Sequence, residues 1–164
     1  MRDLVRPGGA VIPARGRVLV ALADYTPKKG SLGTVDGFDL SPFNEFLPAV
    51  HTVAVGDKRI VSRSAPQTLF AFDFGSAADC LPGRAVAELV ATGGRVTGCA
   101  QWIALEMDEE GRYEVGPPAP GKTSCWGVRF HSLPQPLDTR PGQVVRVCGS
   151  HNRRALTVWF EGAR

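Results

Sequence analysis

The residues of this chain whose types could do chemistry are three histidines, four cysteines, one adjacent pair of glutamates and one phosphate-loop pattern. Cys125 precedes His131 by six positions, and a thiol beside an imidazole is the raw material of a nucleophile with its base. Six residues of extended chain cover about 20 Å, so the two do not meet along a strand, and spacing cannot place His151 beside either. His51, His131 and His151 show no metal-ligand spacing. Cys80, Cys99, Cys125 and Cys148 contain no C-x-x-C pair, which argues for buried thiols in a reducing compartment and against a zinc or redox motif. Glu109 and Glu110 adjoin in "MDEEGRYE", but neighbours on a turn point apart, so they read as a solvated hairpin tip and not as an acid-base pair.

The stretch from Gly116 to Thr123, "GPPAPGKT", matches G-x-x-x-x-G-K-[ST] letter for letter. A phosphate cradle needs successive backbone N–H groups and a helix N-terminus behind them. Pro117, Pro118 and Pro120 have no N–H to offer. Beyond the loop, Trp126, Val128 and Phe130 alternate with Gly127, Arg129 and His131, the period of a half-buried strand. The nucleotide reading therefore fails, and the segment is a loop running into a strand.

The elements that must position these residues are strands. The 19 glycines and 13 prolines recur as punctuation between short apolar runs instead of pooling in a linker. "RVLVALADY", "QTLFAFDF", "RVTGCAQWIALEMD", "QVVRVCGSH" and "RALTVWFEG" all read as strands. "RAVAELVAT" reads as a strand joined to the next by a hairpin turn at Gly93 and Gly94. In "LSPFNEFL", Ser41 can cap a short helix with Pro42 at its first position and Phe43, Phe46 and Leu47 on one side. The expected fold is mainly β, an antiparallel barrel, distorted or sandwich-like, with a short helical arm. At 164 residues the chain is one domain, 1–164.

A composition of 43% apolar and 21% charged residues excludes wholesale disorder. A net charge of +3 with scattered Lys and Arg is no nucleic-acid footprint. No apolar run reaches the roughly 20 residues of a membrane helix, and "MRDLVRPGGAVIPARG" has no signal-peptide core, so a cytoplasmic location is the simplest expectation. From composition and spacing alone the chain is a β domain for binding a peptide or other ligand. Trp126 and Trp159 are then its contact aromatics.

Several segments, in order, resemble the C-terminal β-barrel of the protein arginine N-methyltransferase family. "LVRPGGAVIPARGRVLVALADY" is similar to the family's passage from its Rossmann domain into the barrel, and "VDGFDLSPFNEF" to the end of its dimerisation arm. "GCAQWIALEMD" looks like a barrel strand of the family, and "TSCWGVRFHSLPQPLDTRPGQVVRV" like its Thr-His-Trp loop with the strands that follow. The resemblance implies that Ser124, Cys125 and Trp126 stand at the substrate entrance. Cys125 replaces the family histidine there, and a thiol cannot do an imidazole's work near neutral pH. It implies an arm over 24–47 whose Phe38, Leu40, Phe43 and Phe46 face a partner, with filling of the barrel's own core as the alternative.

The resemblance further implies that S-adenosylmethionine belongs to a Rossmann-fold methyltransferase domain, absent from these residues and supplied in cis or trans. On that implication this chain binds no cofactor itself, is catalytically inactive alone, and serves an arginine-containing protein substrate, with a homodimer through the arm. A fragment, a split protein and an autonomous module all remain compatible with it.

Overall fold

The computed structural model describes residues 6, 9–26, 32–46, 50–76, 80–117 and 126–163, without the side chains of 44–46 and 162–163. Among them every strand pairing is antiparallel. The strands are β1 (Arg15–Asp24), β2 (Thr34–Val35), β3 (Phe38–Asp39), β4 (Val50–Val53), β5 (Val61–Ser62), β6 (Gln67–Asp73), β7 (Gly83–Glu106), β8 (Arg112–Glu114), β9 (Val128–His151) and β10 (Leu156–Ala163). The expected helix at "LSPFNEFL" is a 3-10 turn, Ser41–Phe46. Asp39 Oδ1 accepts from the Ser41 N–H at its start, 2.9 Å away. Leu47 lies outside the described residues.

The main sheet runs β10-β9-β7-β1-β5, with β6 beside β1, β4 beside the start of β9 and β8 beside the end of β7. Its long strands β7 and β9 pair over nearly their whole length, from Gly83 against His151 to Gln101 against Arg129. Two irregularities bend that ribbon. The first falls between Val90 and Thr92, where two steps along β7 answer three along β9, from Val144 to Pro141, and Gly93 and Gly94, both at φ +93°, follow directly. A Cβ on Gly93 would lie 2.9 Å from the Pro141 ring, and only glycine adopts that backbone freely. This corrects the hairpin reading: the two glycines lie within one continuous strand, beside a register irregularity where β9 carries Pro141 and Gly142.

The second irregularity falls between Val96 and Gly98, where two steps along β7 answer five along β9, from Leu137 to Ser132. The extra residues bulge out around Pro134 and Pro136, which have no N–H to give the ladder. Gly98 sits in the crook, where a Cβ would come within 2.3 Å of the His131 carbonyl oxygen.

The bends fold one half of the sheet over the other and give β1 two cores. Leu19, Ala21 and Ala23 join Val53, Trp102 and Phe130 on one face. Val20 and Leu22 join Leu69, Leu89, Cys99, Val145 and Val147 on the other, between the two halves of the sheet. Burial on both faces explains why "VLVALA" is continuously apolar instead of alternating. Gly149 lets the layers close, since a Cβ there would lie 2.7 Å from Leu69.

Candidate functional site

At the Arg15 end of β1 the two layers part and leave an open cleft of about 1570 Å³. Its apolar walls come from alternation on three strands: Val18 from β1, Phe70 and Phe72 from β6 with Phe74 just beyond, and Ile103 and Leu105 from β7. Leu156 closes it from β10, and Gly9, Val11 and Pro13 reach it from the N-terminal segment. Phe72 stacks between Phe70 and Phe74 at centroid distances of 6.2 and 6.4 Å, so the wall is one aromatic stripe.

Trp126 stands at the rim, half exposed. It lies just ahead of β9, whose first residue Val128 pairs with Val53. Gly127 holds that junction against β4, because a Cβ would come within 2.6 Å of the Thr52 methyl. The indole also borders a smaller recess of about 340 Å³ formed with Gln101, Trp102, Ile103, Gly127 and Arg129. Gln101 is buried, and its Oε1 lies 3.3 Å from His131 Nε2. Burial, and then the charge of Arg129, lower the His131 pKa to about 4. The ring is therefore neutral at pH 7, and its tautomer sets the direction of the hydrogen bond it shares with the Gln101 side-chain amide.

Arginine is the only ionised residue type on either recess among the described residues. Arg17, Arg153 and Arg154 border the cleft, Arg129 borders the recess, and no Asp or Glu lines either. Arg17 is within 3.9 Å of Glu106, whereas Arg129, Arg153 and Arg154 enter none of the ion pairs found among the described residues. Arg153 and Arg154 sit in the turn between β9 and β10. There Asn152 Oδ1 accepts from the N–H groups of Arg154 and Ala155, and Arg153 takes φ +72°.

The structure separates most of the residues singled out by type. His151 packs edge-on against Phe70 and Phe72, at 4.7 and 5.1 Å. The Cys99 thiol is pushed up to about 12 by burial, and burial followed by Glu161 raises that of Cys148, so neither is a nucleophile near neutral pH. Glu109 and Glu110 lie in the turn after β7, where Asp108 Oδ1 accepts from the Glu110 and Gly111 N–H groups. No cluster of three or more His, Cys, Asp or Glu that could hold a metal occurs among the described residues. Gly116, the first glycine of the phosphate-loop pattern, serves packing: a Cβ would lie 2.6 Å from the Trp102 ring, whose Nε1 donates to Glu114 at 3.0 Å. Ser124 and Cys125 lie outside the described residues.

In the arm, β2 and β3 form a separate two-stranded ribbon, with Val35 opposite Phe38. Phe38 is 73% exposed and Phe43 54%, Leu40 is half-buried, and the Phe46 side chain is not described. Sequence reading missed Gln101 and the arginine rim, whose proximity comes only from the bends. The signal for the cleft was present in the Phe70, Phe72, Phe74 stripe.

No protein-family model matches the chain, and no curated protein does. Among solved structures it is similar to a chain of the Trypanosoma brucei PRMT1 enzyme-prozyme heterotetrameric complex with AdoHcy, at 17% identity and a TM-score of 0.72. The match covers 98% of this chain and 58% of that one, so this chain spans less than two thirds of its neighbour's length. At that identity the likeness is one of fold, and it bears out the mainly β, antiparallel architecture expected from the sequence. No helix among the described residues is long and apolar enough to cross a membrane.

Proposed function

We propose that the chain is the β half of a two-part, arginine-methyltransferase-like assembly, in which a Rossmann-fold unit in cis or in trans brings S-adenosylmethionine. The observation that carries this reading is the wide apolar cleft beside Trp126, reached by the N-terminal segment, on a fold shared with part of PRMT1. Its volume exceeds the roughly 300–1,000 Å³ of an ordinary small-molecule site, so it suits a polypeptide surface better than a metabolite. Methyl transfer requires the sulfonium donor and a guanidinium nitrogen to be held in line and away from water, which is a matter of positioning. This chain contributes a wall at the entrance, through Trp126 with Ser124 and Cys125. On this reading the carboxylates that hold a guanidinium come from the other unit, and among the described residues the wall carries arginines. By itself the chain is catalytically silent.

Calorimetry with S-adenosylmethionine and the chain alone should show no binding. Addition of an isolated Rossmann-fold domain from an arginine methyltransferase should give a complex on size-exclusion chromatography, weakened by Trp126→Ala. Saturable donor binding by the chain alone would overturn the reading, as would a complex indifferent to Trp126.

A further inference from the structure

We propose that the recess beside Trp126 is a carboxylate site, where Arg129 and the Gln101 side-chain amide receive an Asp or Glu side chain of the polypeptide that occupies the adjoining cleft. Register puts the two residues together. Gln101 on β7 lies directly opposite Arg129 on β9, and opposite residues of an antiparallel pair point to the same side of the sheet. Gln101 is only 8% exposed, and its Oε1 lies 3.3 Å from Nε2 of His131, two places along β9 from Arg129 and on the same face. The amide thus gives one end to His131 and leaves the other for the recess that Gln101 lines. An anion beside Arg129 favours the arrangement in which the imidazole N–H donates to Oε1 and the amide NH2 turns to the recess.

Arg129 supplies the charge. Among the described residues it enters none of the ion pairs, and its field reaches the floor of the recess, where it is the second cause, after burial, of the lowered His131 pKa. Its planar guanidinium presents paired N–H donors that match a carboxylate. Residues 118–125, which lead into Trp126, include Lys122 and no Asp or Glu, so that loop cannot fill the site itself. The volume of about 340 Å³ is near the lower end for a small ligand and suits one acidic side chain with its water. Trp126 borders both recess and cleft, so a chain lying in the cleft can pass a side chain around the indole. This deepens the proposed function and rests on it for the identity of the occupant: the substrate class becomes polypeptides with an acidic residue near the arginine presented to the other unit. Carboxylate binding itself is a property of this chain alone.

The test is an NMR titration of the full chain alone, following the Trp126 indole N–H and the His131 ring. The probes are acetyl-Gly-Glu-Gly-amide, its Gln counterpart and acetate, each to about 20 mM, because one charge-assisted contact holds in the millimolar range. The Glu peptide should give saturable shifts. The Gln peptide should bind at least about tenfold more weakly, and acetate at least about threefold, since it lacks the chain that lies along Trp126. Arg129→Gln should lose at least about tenfold in affinity with unchanged circular dichroism, while Arg129→Lys keeps part of it, as a point charge without the fork. Equal binding of the Gln peptide, or binding indifferent to Arg129→Gln, overturns the proposal. Acetate that binds as tightly as the Glu peptide overturns a polypeptide as the source of the carboxylate. None of these outcomes touches the Rossmann-partner reading, because that complex is formed with the partner domain and read through Trp126.

Discussion

The two ends of β1 are built on opposite plans. At the Asp24 end side-chain hydroxyls close the strand with hydrogen bonds. Thr97 Oγ1 accepts from the Tyr25 N–H and donates to its carbonyl, at 2.8 and 2.9 Å, and Ser64 Oγ accepts from the Leu22 N–H. The Tyr25 ring meets Phe130 edge-on at 5.1 Å, with the Arg59 guanidinium 5.2 Å from its centroid. At the Arg15 end the same strand ends in Val18 and Gly16, open to a cleft of apolar walls and arginines. Stability is concentrated where side chains close on one another, and binding capacity where they are left without a neighbour. One strand thus anchors the domain at one end and offers a surface at the other.

Substitutions should respect that division. Phe130→Ala, at a fully buried side chain beside the closed end, should cost about 3–5 kcal/mol in urea unfolding, since it leaves a cavity under Tyr25. A loss below about 1 kcal/mol would mean that this end is not the anchor. His131, level with Cys99, gives the second effect. Its folded pKa of about 4 lies below the ordinary value of 6.5, so the unfolded chain takes up the proton first as pH falls. The stability tied to the neutral ring is complete above pH 6.5 and is lost progressively toward pH 4, by about 2 kcal/mol after discount for the part of the ring near solvent. Denaturant titrations at several pH values should show that slope in the wild type and a flatter one in His131→Asn.

Thr97→Val should cost about 1–3 kcal/mol, because the methyl cannot serve the buried Tyr25 backbone. The smallest effect is expected at the open end. Trp126→Ala should move stability by no more than about 0.5 kcal/mol while it weakens the complex with a Rossmann-fold domain. If it destabilised as much as Phe130→Ala, the cleft would be part of the core and the contrast between the ends would dissolve.

Much of the fold was legible because strands announce themselves through short-range alternation. "QTLFAFDF" and "RALTVWFEG" give β6 and β10 to within a few residues. Gly93 and Gly94 misled because positive φ serves a hairpin turn and a strand kink equally well. Which of the two forms depends on whether a neighbouring strand stays paired across the glycines, and β9 does, with Pro141 opposite Thr92 and Thr139 opposite Gly94. At the candidate site Trp126 could be singled out as an aromatic after a loop. Gln101 and Arg129 could not, since no local pattern distinguishes them from other polar residues of a β domain, and the Arg153-Arg154 pair was legible as a small basic cluster but not as part of a cleft.

Local pattern was enough to read the chain as mainly β and to place most of its longer strands, because period-two burial is a property of neighbouring residues. Long-range packing, in contrast, sets the paired irregularities of the two long strands, the burial of β1 on both faces and the meeting of the aromatic stripe with an arginine rim across a cleft. Those outcomes depend on contacts between residues far apart in the chain, and a single strand's alternation specifies which face is apolar but not what covers it.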